Sequence, residues 1–133
     1  MTEQTLLLIK PNAVLNHHVG HIIAMIEAKG FIIRNMRSFQ FSKESASVFY
    51  EMHRGKEFFN RLVEFMISGT TVALLLEKNN AVEDLRDLIG DADPLKRKPG
   101  TLRFIFAQGV TENAVHGSDS PDNAKREIKL IFN

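Results

Sequence analysis

The chain has 133 residues, long enough for one domain with a sizeable core and too short for two. At 44% hydrophobic, 25% charged and a formal net charge of +1, it reads as an ordinary soluble globular protein with no bulk attraction to nucleic acid or membrane. The lack of cysteine excludes disulfides and thiolate metal sites. No apolar run reaches the length of a membrane span, and Met1-Thr2-Glu3-Gln4 lacks the basic-then-apolar layout of a secretion signal, so a cytoplasmic protein is expected.

Thr5 to Ile9 is a compact apolar run that predicts a buried strand. Val19, Ile22, Ile23 and Ile26 recur at helical spacing, and Gly30 after Lys29 is a helix stop. Phe31 to Phe41 is rich in β-formers and reads as a second strand. Ser42 can cap a helix with the stripe Ala46, Phe49, Tyr50 and His53. A further helix carries Phe59, Leu62, Val63 and Met66 and ends at Gly69. Thr70 to Leu76 is a third strand, and Asn79 or Asn80 can cap a helix that runs through Ile89 to Gly90. Pro94, Pro99 and Gly100 make 91–100 a loop, and propensity alone makes 101–107 a strand. Asn113 to His116 predicts a short fourth strand, and Pro121 to Ile131 a last helix with Ser120 as its cap. Helices and strands interleave, while short connections such as Lys29-Gly30-Phe31 favour antiparallel neighbours. The expected fold is α+β, a four-stranded antiparallel sheet with helices on one face.

The residues with chemical potential gather near the end. In Asn113-Ala114-Val115-His116-Gly117-Ser118-Asp119-Ser120, a histidine closes an apolar step and is followed by glycine, two hydroxyls and a carboxylate. A histidine there can act as nucleophile, base or metal ligand. Gly117 lets the chain turn beside the ring, Asp119 can reach a metal ion, and the helix start at Pro121 favours anions nearby. On that helix Ala124, Ile128, Leu130 and Ile131 form one apolar arc at about 100° per residue, and Glu127 falls inside it. A carboxylate on a buried face needs a partner. His116 across the turn is one, and a lysine or a backbone amide would serve equally.

Four segments carry a family resemblance: Leu8-Ile9-Lys10-Pro11-Asn12-Ala13-Val14, Ser68-Gly69-Thr70-Thr71-Val72-Ala73, Pro99-Gly100-Thr101-Leu102-Arg103 and the octapeptide around His116. In that order they resemble nucleoside diphosphate kinases, over essentially the whole chain, with 1–133 as one such domain. The resemblance implies a ferredoxin-like sandwich and a short helical turn within 101–107. It implies that His116 is a nucleophile that carries a phosphoryl group between nucleoside tri- and diphosphates, with Mg²⁺, by double displacement. Ser118 and Glu127 match the residues that orient the histidine, Tyr50 a position beside it, and Asp119 the carboxylate near magnesium. Arg86 and Arg103 match phosphate-binding arginines, Lys10 a lysine that reaches ribose and terminal phosphate, and His53 a phosphate-side position. Phe58 and Val110 match the pair that sandwiches the base, and Asn113 a residue on the sugar. A homo-oligomer, tetramer or hexamer, is implied, with no membrane partner and no requirement for nucleic acid. The family's longer members have a C-terminal extension used in subunit contacts, whereas this chain stops at Asn133.

The chain also departs from the family. Ala92 stands where a phosphate-binding threonine is usual, Asn12 where aspartate is usual, and Met52 where an acidic residue is usual. Phe104-Ile105-Phe106 lacks the acidic residue common after the arginine. Two other classes compete. His17, His18 and His21 lie within five residues and can ligate a metal, though a solvated loop explains them as well. A non-enzymatic nucleotide- or nucleic-acid-binding domain can share the fold. The joint presence of His116, Glu127, Arg86 and Arg103 argues against it. No G-x-x-x-x-G-K-[ST] sequence is present, which excludes a P-loop.

Overall fold

A computed structural model describes residues 2–132. Its sheet is built on β1 (Thr2–Ile9), a central strand flanked by β3 (Thr71–Asn79) and β4 (Val115–Gly117), with β2 (Ile32–Phe39) outside β3. Every pairing is antiparallel. Leu6, Leu7, Leu8 and Ile9 are all fully buried. Burial of each such side chain is worth about 1.5–3 kcal/mol over exposure. Successive strand residues face opposite sides, so an unbroken apolar run requires cover on both faces.

That cover corrects one expectation: helices pack on both faces of the sheet. On one side, Leu7, Ile9, Leu74 and Leu76 meet α2 (Val19–Ala28), α5 (Ala81–Ile89) and α6 (Leu102–Phe106). On the other, Leu6, Leu8 and Ala73 meet α3 (Lys43–Phe49), α4 (Phe59–Met66) and α7 (Pro121–Phe132). A short α1 (Pro11–Leu15), which sequence reading missed, follows β1 directly, with Pro11 at its first position. Two 3₁₀ turns, Glu51–His53 and Pro94–Lys96, complete the path.

Several boundaries shift for identifiable reasons. The helix capped by Ser42 stops at Phe49, so His53 belongs to the following 3₁₀ turn and not to the helix stripe. Ser42 and Ser45 form a reciprocal capping box. Asn80 begins α5 but sits at φ 58° and bonds Asp84 with its side chain, so it turns the chain without capping the helix amides. The stretch 101–107 is helical: the Thr101 hydroxyl accepts from Phe104 N–H, and Leu102 and Phe106, one helical turn apart, are both buried. Within α7, Ala124, Glu127 and Ile131 are buried, whereas Leu130 is 44% exposed and leaves the arc.

Candidate active site

β4 brings the first residue into place. Its register sets Leu8 opposite His116 and Ile9 opposite Val115, and Lys10 N–H then donates to Ala114 O at 2.8 Å. Residues on either side of His116 face away from it, towards α5. A Cβ on Gly117 would lie 2.5 Å from Ile89 Cδ1, so glycine is needed for this close approach. That replaces the turn role expected of Gly117, since the positive backbone angle falls at Ala114 (φ 76°).

On its own face, His116 meets α3 and α7. Phe49 and Tyr50 lie edge-on to the imidazole, with ring centroids at 5.2 and 5.8 Å. Glu127 projects from the buried side of α7. Its Oε1 accepts from His116 Nε2–H at 2.9 Å and from the Ser118 hydroxyl at 2.7 Å. Glu127 is 2% exposed, so this carboxylate is fixed by partners in place of water. The partner is therefore the histidine, not a lysine or a backbone amide. Ser120 accepts from Asn123 N–H at 3.1 Å and starts the helix that delivers Glu127.

His116 opens on a cavity of about 320 Å³ that is also lined by Lys10, Tyr50, His53, Phe58, Ala92, Arg103, Val110 and Asn113. Phe58 and Val110 are exposed at its rim, while Phe59 turns into the core. The floor is cationic. Lys10 is buried and donates to Asn113 Oδ1 at 2.9 Å. Burial, followed by the nearby Arg103 charge, lowers its pKa to about 7. Arg103 donates to Gly90 O at 3.0 Å and to Val115 O at 3.1 Å, which leaves its buried Nε without a partner among the described residues. Burial and the neighbouring Arg86 and Arg97 lower its pKa to about 10, so it stays charged at neutral pH. The Tyr50 hydroxyl is also buried without a partner among the described residues. Burial, then Glu127, push its pKa up, so it remains a neutral donor. Burial and Lys56 lower the His53 pKa.

Arg86 and Asp119 line a separate cleft, and Arg86 reaches Gly117 O at 3.4 Å. The Asn123 amide and the Arg86 charge keep the Asp119 carboxyl below its ordinary range, so it is ionised at neutral pH. Among the described residues, no group of three His, Cys, Asp or Glu side chains gathers to hold a metal. Of the three neighbouring histidines, His18 and His21 pack on the Phe106 ring, at 4.7 and 5.1 Å.

Sequence reading missed several residues that build the cavity. Leu62 and Thr111 line it. Arg97 lies in a basic stretch that reads as solvated loop, yet it donates to the carbonyls of Asp91, Ala92 and Gly109.

A histidine fixed by a buried carboxylate beside a cationic pocket suits transfer of an anionic group. Comparison with known proteins decides which transfer. Residues 3–133 match the family model described as nucleoside diphosphate kinase. The chain belongs to the nucleoside diphosphate kinase family. It is 48% identical over 130 residues to the nucleoside diphosphate kinase of Nitratiruptor sp., covering 98% of this chain and 95% of the relative. A crystal structure of the Aquifex aeolicus nucleoside diphosphate kinase superposes with a TM-score of 0.97 at 39% identity, over 100% of this chain and 96% of the other. The halophilic enzyme of Halobacterium salinarum, solved in complex with CDP, superposes at 0.95 with 32% identity, over 100% and 89%. The fold is the ferredoxin-like α+β sandwich of those kinases. As a nucleoside diphosphate kinase, the chain is an enzyme that transfers a phosphoryl group between nucleotides. Membership also sets aside the reading as a non-enzymatic binding domain.

Proposed function

We propose that His116 is the nucleophile and that its Nδ1 attacks. The observation that carries this is the hydrogen bond from Nε2–H to Glu127 Oε1, which commits one ring nitrogen and leaves the other with the lone pair. Nδ1 attacks the terminal phosphorus of a nucleoside triphosphate. The P–N bond forms as the bond from that phosphorus to the bridging oxygen breaks, and the nucleoside diphosphate leaves with the oxygen's electrons. A second diphosphate enters the same cavity. Its terminal oxygen attacks the phosphohistidine phosphorus, and the P–N bond electrons return to the ring. One pocket and one nucleophile make this a double displacement.

Each remaining residue positions a group or neutralises charge, which is most of what phosphoryl transfer requires. Glu127 stabilises the imidazolium that develops as Nδ1 is phosphorylated, and Ser118 holds that carboxylate in place. Arg103, Arg86, Lys10 and His53 take the phosphates. The fixed charge and planar fork of the arginines suit the equatorial oxygens. The Tyr50 hydroxyl and Arg103 Nε, without partners among the described residues, are donors available to the phosphates. Phe58 and Val110 hold the base between apolar surfaces, which tolerates any nucleobase, and Asn113 meets the sugar. A relative of this fold solved in complex with CDP supports a nucleotide in this cavity. Ala92 occupies a phosphate-side position without a side-chain donor. An ionised carboxylate fits an ion brought in by the phosphates, so Asp119 is the residue to hold Mg²⁺, which usually binds one or two carboxylates plus substrate oxygens. When bound, the ion spreads the negative charge of the transferring group.

In this reading residues 1–133 act as one kinase domain and assemble as a homo-oligomer, tetramer or hexamer. The unpaired edge strand β2 supports this, since it exposes Ile32 and Met36. No helix among the described residues is long and apolar enough to cross a membrane, and a cytoplasmic location fits a chain without cysteine.

Incubation with terminally labelled ATP tests the mechanism. The expected result is an acid-labile, base-stable label on the protein that an added nucleoside diphosphate removes as triphosphate. Turnover without a labelled enzyme would overturn it.

A further inference from the structure

The turn that carries Val110 has no regular secondary structure, yet one atom closes it. The Glu112 carbonyl oxygen accepts from Gln108 N–H at 2.8 Å and from Gly109 N–H at 3.2 Å. A third donor comes from outside the turn. Asn12 Nδ2 reaches the same oxygen at 3.1 Å and reaches Gln108 Oε1 at 3.2 Å. Asn12 is 8% exposed and lies in α1, two residues after Lys10, whose ammonium holds Asn113 at the far end of the same turn. Asn113 in turn donates to Val110 O at 2.8 Å. Arg61 of α4 adds an exposed ion pair to the Glu112 side chain. Exposed pairs of this kind contribute little.

We infer that Asn12 is a positioning residue for nucleotide binding: its amide pins the 108–112 turn so that Val110 faces the base-stacking side of the cavity. The inference rests on the cavity being the nucleotide site. The chemistry at position 12 is directional. A main-chain carbonyl only accepts, so in this chain the donor to the Glu112 oxygen from outside the turn is the Asn12 amide. Aspartate has the same size but carries no donor when ionised, and it would set a negative charge against the Glu112 carbonyl. Asparagine and aspartate are therefore not equivalent here, even though neither touches the substrate.

The test is Asn12→Asp, with Gln108→Ala as a milder second variant and Lys10→Ala as a control on the site. Circular dichroism and thermal melting establish that each variant folds. Calorimetry gives the affinity for a nucleoside diphosphate. Rapid quench gives the rate and concentration dependence of phosphoenzyme formation, with ATP and with ribose 5-triphosphate, which lacks a base. Loss of one hydrogen bond corresponds to about three- to tenfold. Asn12→Asp is expected to weaken nucleoside diphosphate binding and raise the half-saturating ATP concentration by that factor. The saturating phosphorylation rate and the half-saturating concentration of ribose 5-triphosphate are expected to hold. Gln108→Ala should show a smaller change of the same pattern. Equal weakening towards both donors, a fall in the saturating rate, or unchanged ATP dependence would overturn the inference. Unchanged affinity in Lys10→Ala would instead show that the cavity is not the nucleotide site.

Discussion

His116, Ser118 and Glu127 are held by strand register and one buried helix face, whereas the segment from Gly90 to Asn113 is held by side chains that reach its main-chain carbonyls. In the first region, β4 pairs with the central strand and α7 packs on the sheet, so these side chains inherit the rigidity of the core. In the second, Arg97 binds three carbonyls, Arg103 binds Gly90 O and Val115 O, and Asn12 binds Glu112 O. Regular structure in this segment is limited to α6 and one 3₁₀ turn. The difference separates two duties. In the proposed mechanism the sheet-bound corner would set the rate of chemistry, and the strapped segment would set how substrate is gripped. Substitutions in the corner are therefore expected to change rate at constant affinity, and substitutions in the segment to do the reverse.

His116→Ala breaks the corner completely. It is expected to abolish both phosphotransfer and phosphoenzyme formation with an unchanged circular dichroism spectrum. Turnover retained in a preparation free of host kinase would remove His116 from the reaction. Glu127→Gln sharpens the contrast. The amide still accepts from Nε2–H but carries no charge to offset the imidazolium. A hydrogen bond to a charged group is worth about 1.5–3 kcal/mol, so single-turnover phosphorylation should slow roughly ten- to hundredfold. Diphosphate affinity should be unchanged. Normal phosphorylation with a lowered melting temperature would make Glu127 purely structural.

In the proposed mechanism Lys10 belongs to the gripping side and is expected to make binding sensitive to pH. In the free protein, burial lowers its pKa to about 7, so near pH 8 it is largely neutral. A bound polyanion favours the charged form and raises that pKa. Binding above pH 7 therefore takes up a proton at Lys10, and affinity falls as pH rises, by at most about tenfold per pH unit for one proton. Below pH 7 Lys10 is already charged and adds no pH dependence. Calorimetry at pH 8 in buffers of different ionisation enthalpy measures the uptake, which Lys10→Met should abolish. Uptake unchanged in that variant would assign the proton elsewhere. Ala92→Thr gives the smallest effect. A hydroxyl on the phosphate side is expected to tighten diphosphate binding by about 0.5–1.5 kcal/mol, the net worth of one typical hydrogen bond, by calorimetry. Equal or weaker affinity would place residue 92 away from the phosphates.

The same division governs what sequence could reveal. The corner was legible because core packing leaves periodic signals. The apolar run before Lys10 marked a buried strand, and Glu127 stood out as a carboxylate among Ala124 and Ile131. The run from Leu6 to Ile9 also held the sign of two covered faces, since a strand covered on one side alternates. The segment was less legible because its contacts have no period. Nothing local distinguishes Arg97 from its basic neighbours, and the role of Asn12 depends on a carbonyl a hundred residues away. At 101–107 propensity favours a strand, and the Thr101 cap with the packing of Leu102 and Phe106 prevails. The short α1 was hidden because five residues are too few to show a stripe.

In the proposed mechanism Glu127 commits Nε2 and leaves Nδ1 to attack. Phosphorus–nitrogen coupling in the NMR spectrum of the phosphoenzyme, labelled with ¹⁵N histidine, identifies the phosphorylated nitrogen of His116 directly. Phosphate on Nδ1 is the expected result. Phosphate on Nε2 would contradict it, because that nitrogen would have to leave Glu127 before it could react.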